Sequence, residues 1–122
     1  MDKSKIVKIA TIIGSILLVI MAIFHISGIG YVNNLVQQSN TELIVKTIFP
    51  VLFAHPSVQL FGFAGLGIWT LFSGNGIKNS LLFIAVMVCI DAAFAFYLGA
   101  AVPGVLLMFA AFTFGIGAVK AK

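Results

Sequence analysis

Five side chains in this 122-residue chain are of types that do chemistry, yet stand among long apolar stretches: Asp91, His25, His55, Gln59 and Tyr97. Asp91 is the most informative, because no other charged residue lies between Lys78 and Lys120. An ionised acid at the centre of a membrane-spanning helix costs about 2.5–3.5 kcal/mol on insertion scales. Desolvation there favours the neutral carboxylic acid. Such a group either hydrogen-bonds to a neighbouring helix and fixes its register, or takes part in the traffic of a proton or ligand.

His25 and His55 are the two histidines. Each falls near the outer end of its own apolar stretch, at matched depth. Two imidazoles facing each other from adjacent helices can hold a haem iron or a transition metal. No third ligand stands at ligand spacing, so a pair of hydrogen-bonded interfacial histidines is the simpler reading. Gln59 follows His55 by four residues and shares its helix face. Counted along the helices, Gln59 reaches nearly the depth of Asp91, and Tyr97 that of His25. The five side chains are therefore expected to converge in one polar pocket in the outer half of a bundle. Asp91 and His25 differ in depth by about 8 Å of helix rise, so Tyr97, Gln59 or water must bridge them.

The elements that position these residues follow from the composition. Seven Lys and three acidic residues make up 8% of the chain, and hydrophobic residues make up 61%. A soluble domain carries about 25% charge and 45–50% apolar residues. The pattern fits an all-α integral membrane protein, a four-helix bundle of up-down topology in a single domain over 1–122. A crossing needs about 20 apolar residues. Spans are expected at about 6–30, 49–72, 80–100 and 103–119. The first is apolar all round, as a lipid-embedded helix is. It is too long for the apolar core of a secretory signal, and no A-x-A site follows it.

Residues 32–46 form the one substantial polar stretch. A short amphipathic segment is expected there at the membrane surface, capped by Thr41 and turning Leu43, Ile44 and Ile48 to the apolar side. Pro56 predicts either a kink in the second span or a span that begins at Pro56 itself. The run SGNGIKN at 73–79 reads as a tight turn. The short AAVPG connection makes the last two spans an antiparallel hairpin.

Lysines set the orientation. With the N-terminus inside, Lys3, Lys5, Lys8, Lys78, Lys120 and Lys122 are inside and Lys46 alone is outside. This predicts that both termini are cytoplasmic, in a bacterial cytoplasmic membrane. The scattered lysines draw no basic face, which excludes nucleic acid as a partner. The lone Cys89 reads as packing, within a small-residue stripe of Ala85, Cys89 and Ala93. Ala111 with Gly115, and Thr113 with Gly117, form similar stripes, and Gly62, Gly65 and Gly67 are expected at a close helix crossing. Ser27, Ser57, Thr70 and Thr113 are expected to bond back to the carbonyl four residues earlier. The twelve Phe read mostly as lipid-facing or core filler, and Trp69 and Phe72 as interfacial anchors.

Three functional classes fit. The first is a bundle that binds or transports a small organic or lipid-like ligand, or a proton, through the pocket of His25, His55, Gln59, Asp91 and Tyr97. The second is a redox protein holding haem between His25 and His55. The third is an accessory membrane subunit without chemistry. A chain this small is expected to work as a homo-oligomer or with a larger membrane partner. No motif here is specific to a family.

Overall fold

A computed structural model describes residues 2–121. Among them are five α-helices and no strand: α1 Lys3–Ser27, α2 Ile29–Gln38, α3 Leu43–Thr70, α4 Ile77–Tyr97 and α5 Ala101–Lys120. Gly28 keeps a right-handed helical backbone, with φ −78° and ψ −10°. The backbone bond from Val32 N–H to Gly28 O carries the helical path onward, so α2 follows α1 with almost no interruption. Taken that way, four helices are long and apolar enough to cross a membrane. Lys122 lies outside the described residues, as does the side chain of Lys3.

The bundle is held by small residues at helical spacing. In α1 the buried positions are Val7, Ala10, Thr11, Gly14, Ser15, Leu18, Met21 and Ala22. In α5 they are Gly104, Leu107, Ala110, Ala111, Phe114, Gly117 and Ala118. Steps of three and four place each set on one face. Between them they carry enough Gly, Ala and Ser for two backbones to approach closely. Phe114 is fully buried and fills the space so created. A Cβ added at Gly14 would stand 2.8 Å from one edge of its ring, and a Cβ added at Gly67 would stand 2.8 Å from the other. Ser15 Oγ ties α1 to α3 by donating to Ala64 O at 3.1 Å.

Around the bundle α3 packs on α1, α1 on α5 and α5 on α4, whereas α3 and α4 touch only sparsely. The ring of helices is thus nearly open on its α3–α4 side. Among the contacts on that side are an edge-on approach of Phe63 and Phe83 with ring centroids 6.3 Å apart, and the Gln59–Asp91 hydrogen bond described below.

The polar stretch differs from its expectation. No separate surface helix begins at Thr41. Glu42 is the N-cap position of α3, and residues 43–48 are its first turns. The amphipathic piece is α2, and it packs antiparallel to the start of α3. Lys46 Nζ donates to Gln37 O at 2.9 Å, and Gln37 Nε2 donates to Lys46 O at 3.0 Å. The second of these bonds has a specific cause. Pro50 lacks the N–H that would satisfy the carbonyl four residues before it, which is Lys46 O. Gln37 supplies the missing donor.

Both Pro50 and Pro56 stand inside α3, which continues without a break through each of them. The helix therefore begins well before Pro56 and runs for 28 residues, about 42 Å at 1.5 Å per residue. A hydrocarbon core of about 30 Å leaves a surplus. At the α2 end, α2 and the start of α3 form a helical hairpin with exposed Tyr31, Leu35, Leu43 and Ile44.

The two remaining turns rest on glycines with positive φ. Gly76, at φ +76°, precedes α4. Gly99, also at φ +76°, closes α4. There Gly99 N–H donates to Phe96 O and Ala100 N–H to Ala95 O, the paired bonds of a left-handed C-terminal cap. This ends α4 at Tyr97, and residues 101–104 of the expected connection are already the first turn of α5. The N-terminus of α1, the 71–76 turn and the C-terminus of α5 share one end of the molecule. They enclose an open recess lined by Lys8, Gly76 and Lys120 among others.

Candidate functional site

Three of the bundle's polar side chains, His25, Gln59 and Asp91, lie in the half that carries α2, whereas the buried Thr11 and Thr70 lie toward the other end. α4 brings Asp91, half-buried and one residue before the fully buried Ala92. α3 brings Gln59, one residue before the buried Leu60. Each is thus carried at the edge of its helix's buried stripe, facing the sparse α3–α4 side. Gln59 Nε2 donates to Asp91 Oδ2 at 3.3 Å. Asp91 and His25 both line a cavity of about 240 Å³ whose other walls come from all four spans. α1 adds Met21, α3 adds Pro56 and Leu60, α4 adds Phe94 and Leu98, and α5 adds Pro103 and Leu107. At about 30 Å³ per water in the liquid, the space equals roughly eight waters. It lies a little below the 300–1,000 Å³ usual for drug-sized ligands and matches their pattern of apolar walls with few polar groups.

His25 is fixed in orientation. Its Nε2 lies 2.9 Å from Phe53 O. A carbonyl only accepts, so Nε2 carries the proton in that bond. The imidazole also stacks on the Phe53 ring, with centroids 4.5 Å apart and planes 14° from parallel. Phe49 extends the aromatic group at 5.6 Å from Phe53. Pro56, which has no N–H, leaves the carbonyl of Leu52 without its helical donor in the preceding turn. Phe53 sits in that turn.

Of the five residues expected to converge, the structure brings three together: Asp91 and His25 around the cavity, and Gln59 through its bond to Asp91. The other two lie elsewhere. His55 is exposed and does not line the cavity. Tyr97 is 88% exposed and points away from the bundle. The two imidazoles thus share no pocket, and His25 already spends Nε2 on Phe53. Among the described residues, no group of three or more His, Cys, Asp or Glu is placed to hold a metal ion.

Several neighbours are also placed differently from their expectations. Ser27, Thr70 and Thr113 do bond back along their helices, but to carbonyls three residues earlier, Phe24, Gly67 and Ala110. Ser57 Oγ, buried, has no partner among the described residues. Cys89 is exposed, in an apolar groove between α4 and α5 that Gly115 and Ala111 also line. Gly62, Gly65 and Gly115 face open space, while Gly67 and Gly117 make the close crossings.

Sequence reasoning did not single out Phe53, Leu60, Phe94 or Leu107. Pro56 was the available signal for Phe53, since a proline within a span marks the turn before it as one whose carbonyls find other partners. The apolar walls carry no signal of their own in a chain this rich in Leu and Phe. No family model matches the chain, and no curated protein or solved structure matches it either.

Proposed function

We propose that this chain is a small polytopic membrane protein that binds a small organic or lipid-like ligand, or exchanges a proton, in the cavity at the α2 end of its bundle. The observation that carries this reading is the Gln59–Asp91 hydrogen bond beside an otherwise apolar cavity that His25 also lines. A polar pair on the sparsely packed side of a bundle contributes little to holding it together. It is well placed to meet a ligand's polar head while the apolar walls take the body. His25, with its ring held by Phe53, offers the second polar contact.

The lysine distribution supports cytoplasmic termini, which puts the cavity in the outer half of the membrane. A bacterial cytoplasmic membrane and assembly as a homo-oligomer belong to the same reading. The test is equilibrium binding of radiolabelled 2-phenylethanol to the purified protein in phosphatidylcholine nanodiscs. Saturable binding is expected, and Ala95→Phe should remove it by filling the space, since Ala95 also lines the cavity. Binding undiminished by Ala95→Phe would refute the site.

A second reading, an accessory subunit that docks on a larger membrane partner, is favoured by the exposed apolar side chains of the α2–α3 hairpin, Tyr31, Leu35, Leu43 and Ile44. Co-purification of one partner in fixed ratio, lost on changing Leu43 and Ile44 to Ser, would support it.

A further inference from the structure

The cavity's inventory of charge is one-sided. Asp91 is its single acid, and no Lys or Arg lines it. The nearest lysine along α3, Lys46, is in the first turn of that helix and is bonded to Gln37 O. From the surrounding elements, α1 presents His25 as the one other titratable group. α3 presents Pro56, Leu60 and the Gln59 amide, and α5 presents Pro103 and Leu107. Phe94 adds an aromatic wall from the same helix as Asp91. A ring face attracts a cation and repels an anion. An anionic ligand would find no permanent positive charge here. A cation would find a carboxylate, an oriented amide that holds it and an aromatic surface.

We propose, building on the ligand-binding reading above, that the site takes a small organic cation of the protonated-amine class, in exchange for the proton of Asp91. When the site is empty, the carboxylic acid is the form the membrane tolerates. When an ammonium group enters, the proton leaves Asp91 for solvent, and carboxylate and ammonium pair. The net charge of the site is the same before and after. Gln59 Nε2 is placed to serve both states, since it donates to Oδ2 and leaves Oδ1 for the acid proton or the ammonium. Access runs along the open α3–α4 side, where the cavity-lining Pro56, Phe94 and Leu98 are exposed. That route suits an amphiphilic amine whose apolar part partitions into the bilayer.

The experiment compares three probes of one shape in the same phosphatidylcholine nanodiscs: 2-phenylethylamine, 2-phenylethanol and phenylacetate. The amine should bind at least tenfold tighter than the alcohol, and phenylacetate should show no saturable binding. The amine's affinity should fall as pH is lowered, by up to tenfold per unit for one exchanged proton, while the alcohol's stays level. Asp91→Asn should bring the ratio of amine to alcohol to about one. Alcohol binding equal to or tighter than amine binding, with both removed by Ala95→Phe, would overturn the cation assignment and leave the ligand site intact. Absence of saturable binding for all three probes would overturn both.

Discussion

Phe114 provides a stringent test of the bundle that carries the site. Its ring is fully buried, with Gly14 of α1 against one edge and Gly67 of α3 against the other. A Cβ at Gly67 would lie 2.8 Å from ring atom Cε1 and 2.8 Å from Ser15 Oγ. Ordinary van der Waals contact begins near 3.4 Å, so the ring must retreat by about 0.6 Å. Retreat drives it toward Gly14, where a Cβ would already be too close. Overpacking of this kind costs about 1–3 kcal/mol. Gly115 lies on the same α5 helix with nothing within 4 Å of its own added Cβ. Gly67→Ala and Gly115→Ala share the same gain in helix propensity, about 1 kcal/mol. Their difference therefore isolates the overpacking cost, roughly 5- to 150-fold in the folding equilibrium constant. Reversible unfolding in mixed micelles with increasing denaturing detergent measures it. Gly115→Ala should be neutral or stabilising, and Gly67→Ala destabilising. Equal shifts for the two variants would refute the placement of Phe114 between α1 and α3.

Two smaller effects follow from the hydrogen bonds. The Gln59–Asp91 bond, at 3.3 Å, is slightly longer than the usual N–H···O range. A double-mutant cycle of Gln59→Ala with Asp91→Ala should return a coupling of about 0.6 kcal/mol, the average for such bonds in bilayers; zero coupling would show that the two side chains do not meet. Gln37→Ala removes the donor that satisfies Lys46 O below Pro50. Water can substitute at this exposed position, so the loss should be near the low end of about 0.5–1.5 kcal/mol. Hydrogen exchange of the α2 amides should speed up at least twofold, whereas Gln38→Ala should leave it unchanged.

The sequence made the number of long apolar helices legible because charge is confined to their ends, and it located Asp91 and Gln59 at similar depth because helix rise is constant. Helix rotation was harder to read. All four spans are apolar on every face, so hydrophobic periodicity has no contrast to offer. Residue size was the remaining cue, and it worked at Ala85, Ala111, Gly67 and Gly117, which are buried, but not at Cys89 and Ala93, which are exposed. It misled at Gly62, Gly65 and Gly115, which face open space, because a small residue permits a close crossing without requiring one. His55 and Tyr97 were expected in the pocket from depth alone, and both are exposed outside it, since depth comes from counting residues and rotation from packing. The prolines of α3 were ambiguous for a related reason. Whether Pro50 and Pro56 break a helix depends on whether the freed carbonyls find donors, and one of those donors, Gln37, comes from a different helix.

If, as proposed, a ligand enters by the sparsely packed α3–α4 side, it arrives through hydrocarbon, and the population that feeds the site is dissolved in lipid. Its abundance per unit volume of membrane is the aqueous value multiplied by its oil–water partition coefficient. Two ligands with identical fit to Asp91 and the apolar walls would then show apparent aqueous affinities that differ by the ratio of their partition coefficients. For a fixed amount of ligand, adding empty lipid would weaken apparent binding by dilution with no change at the site.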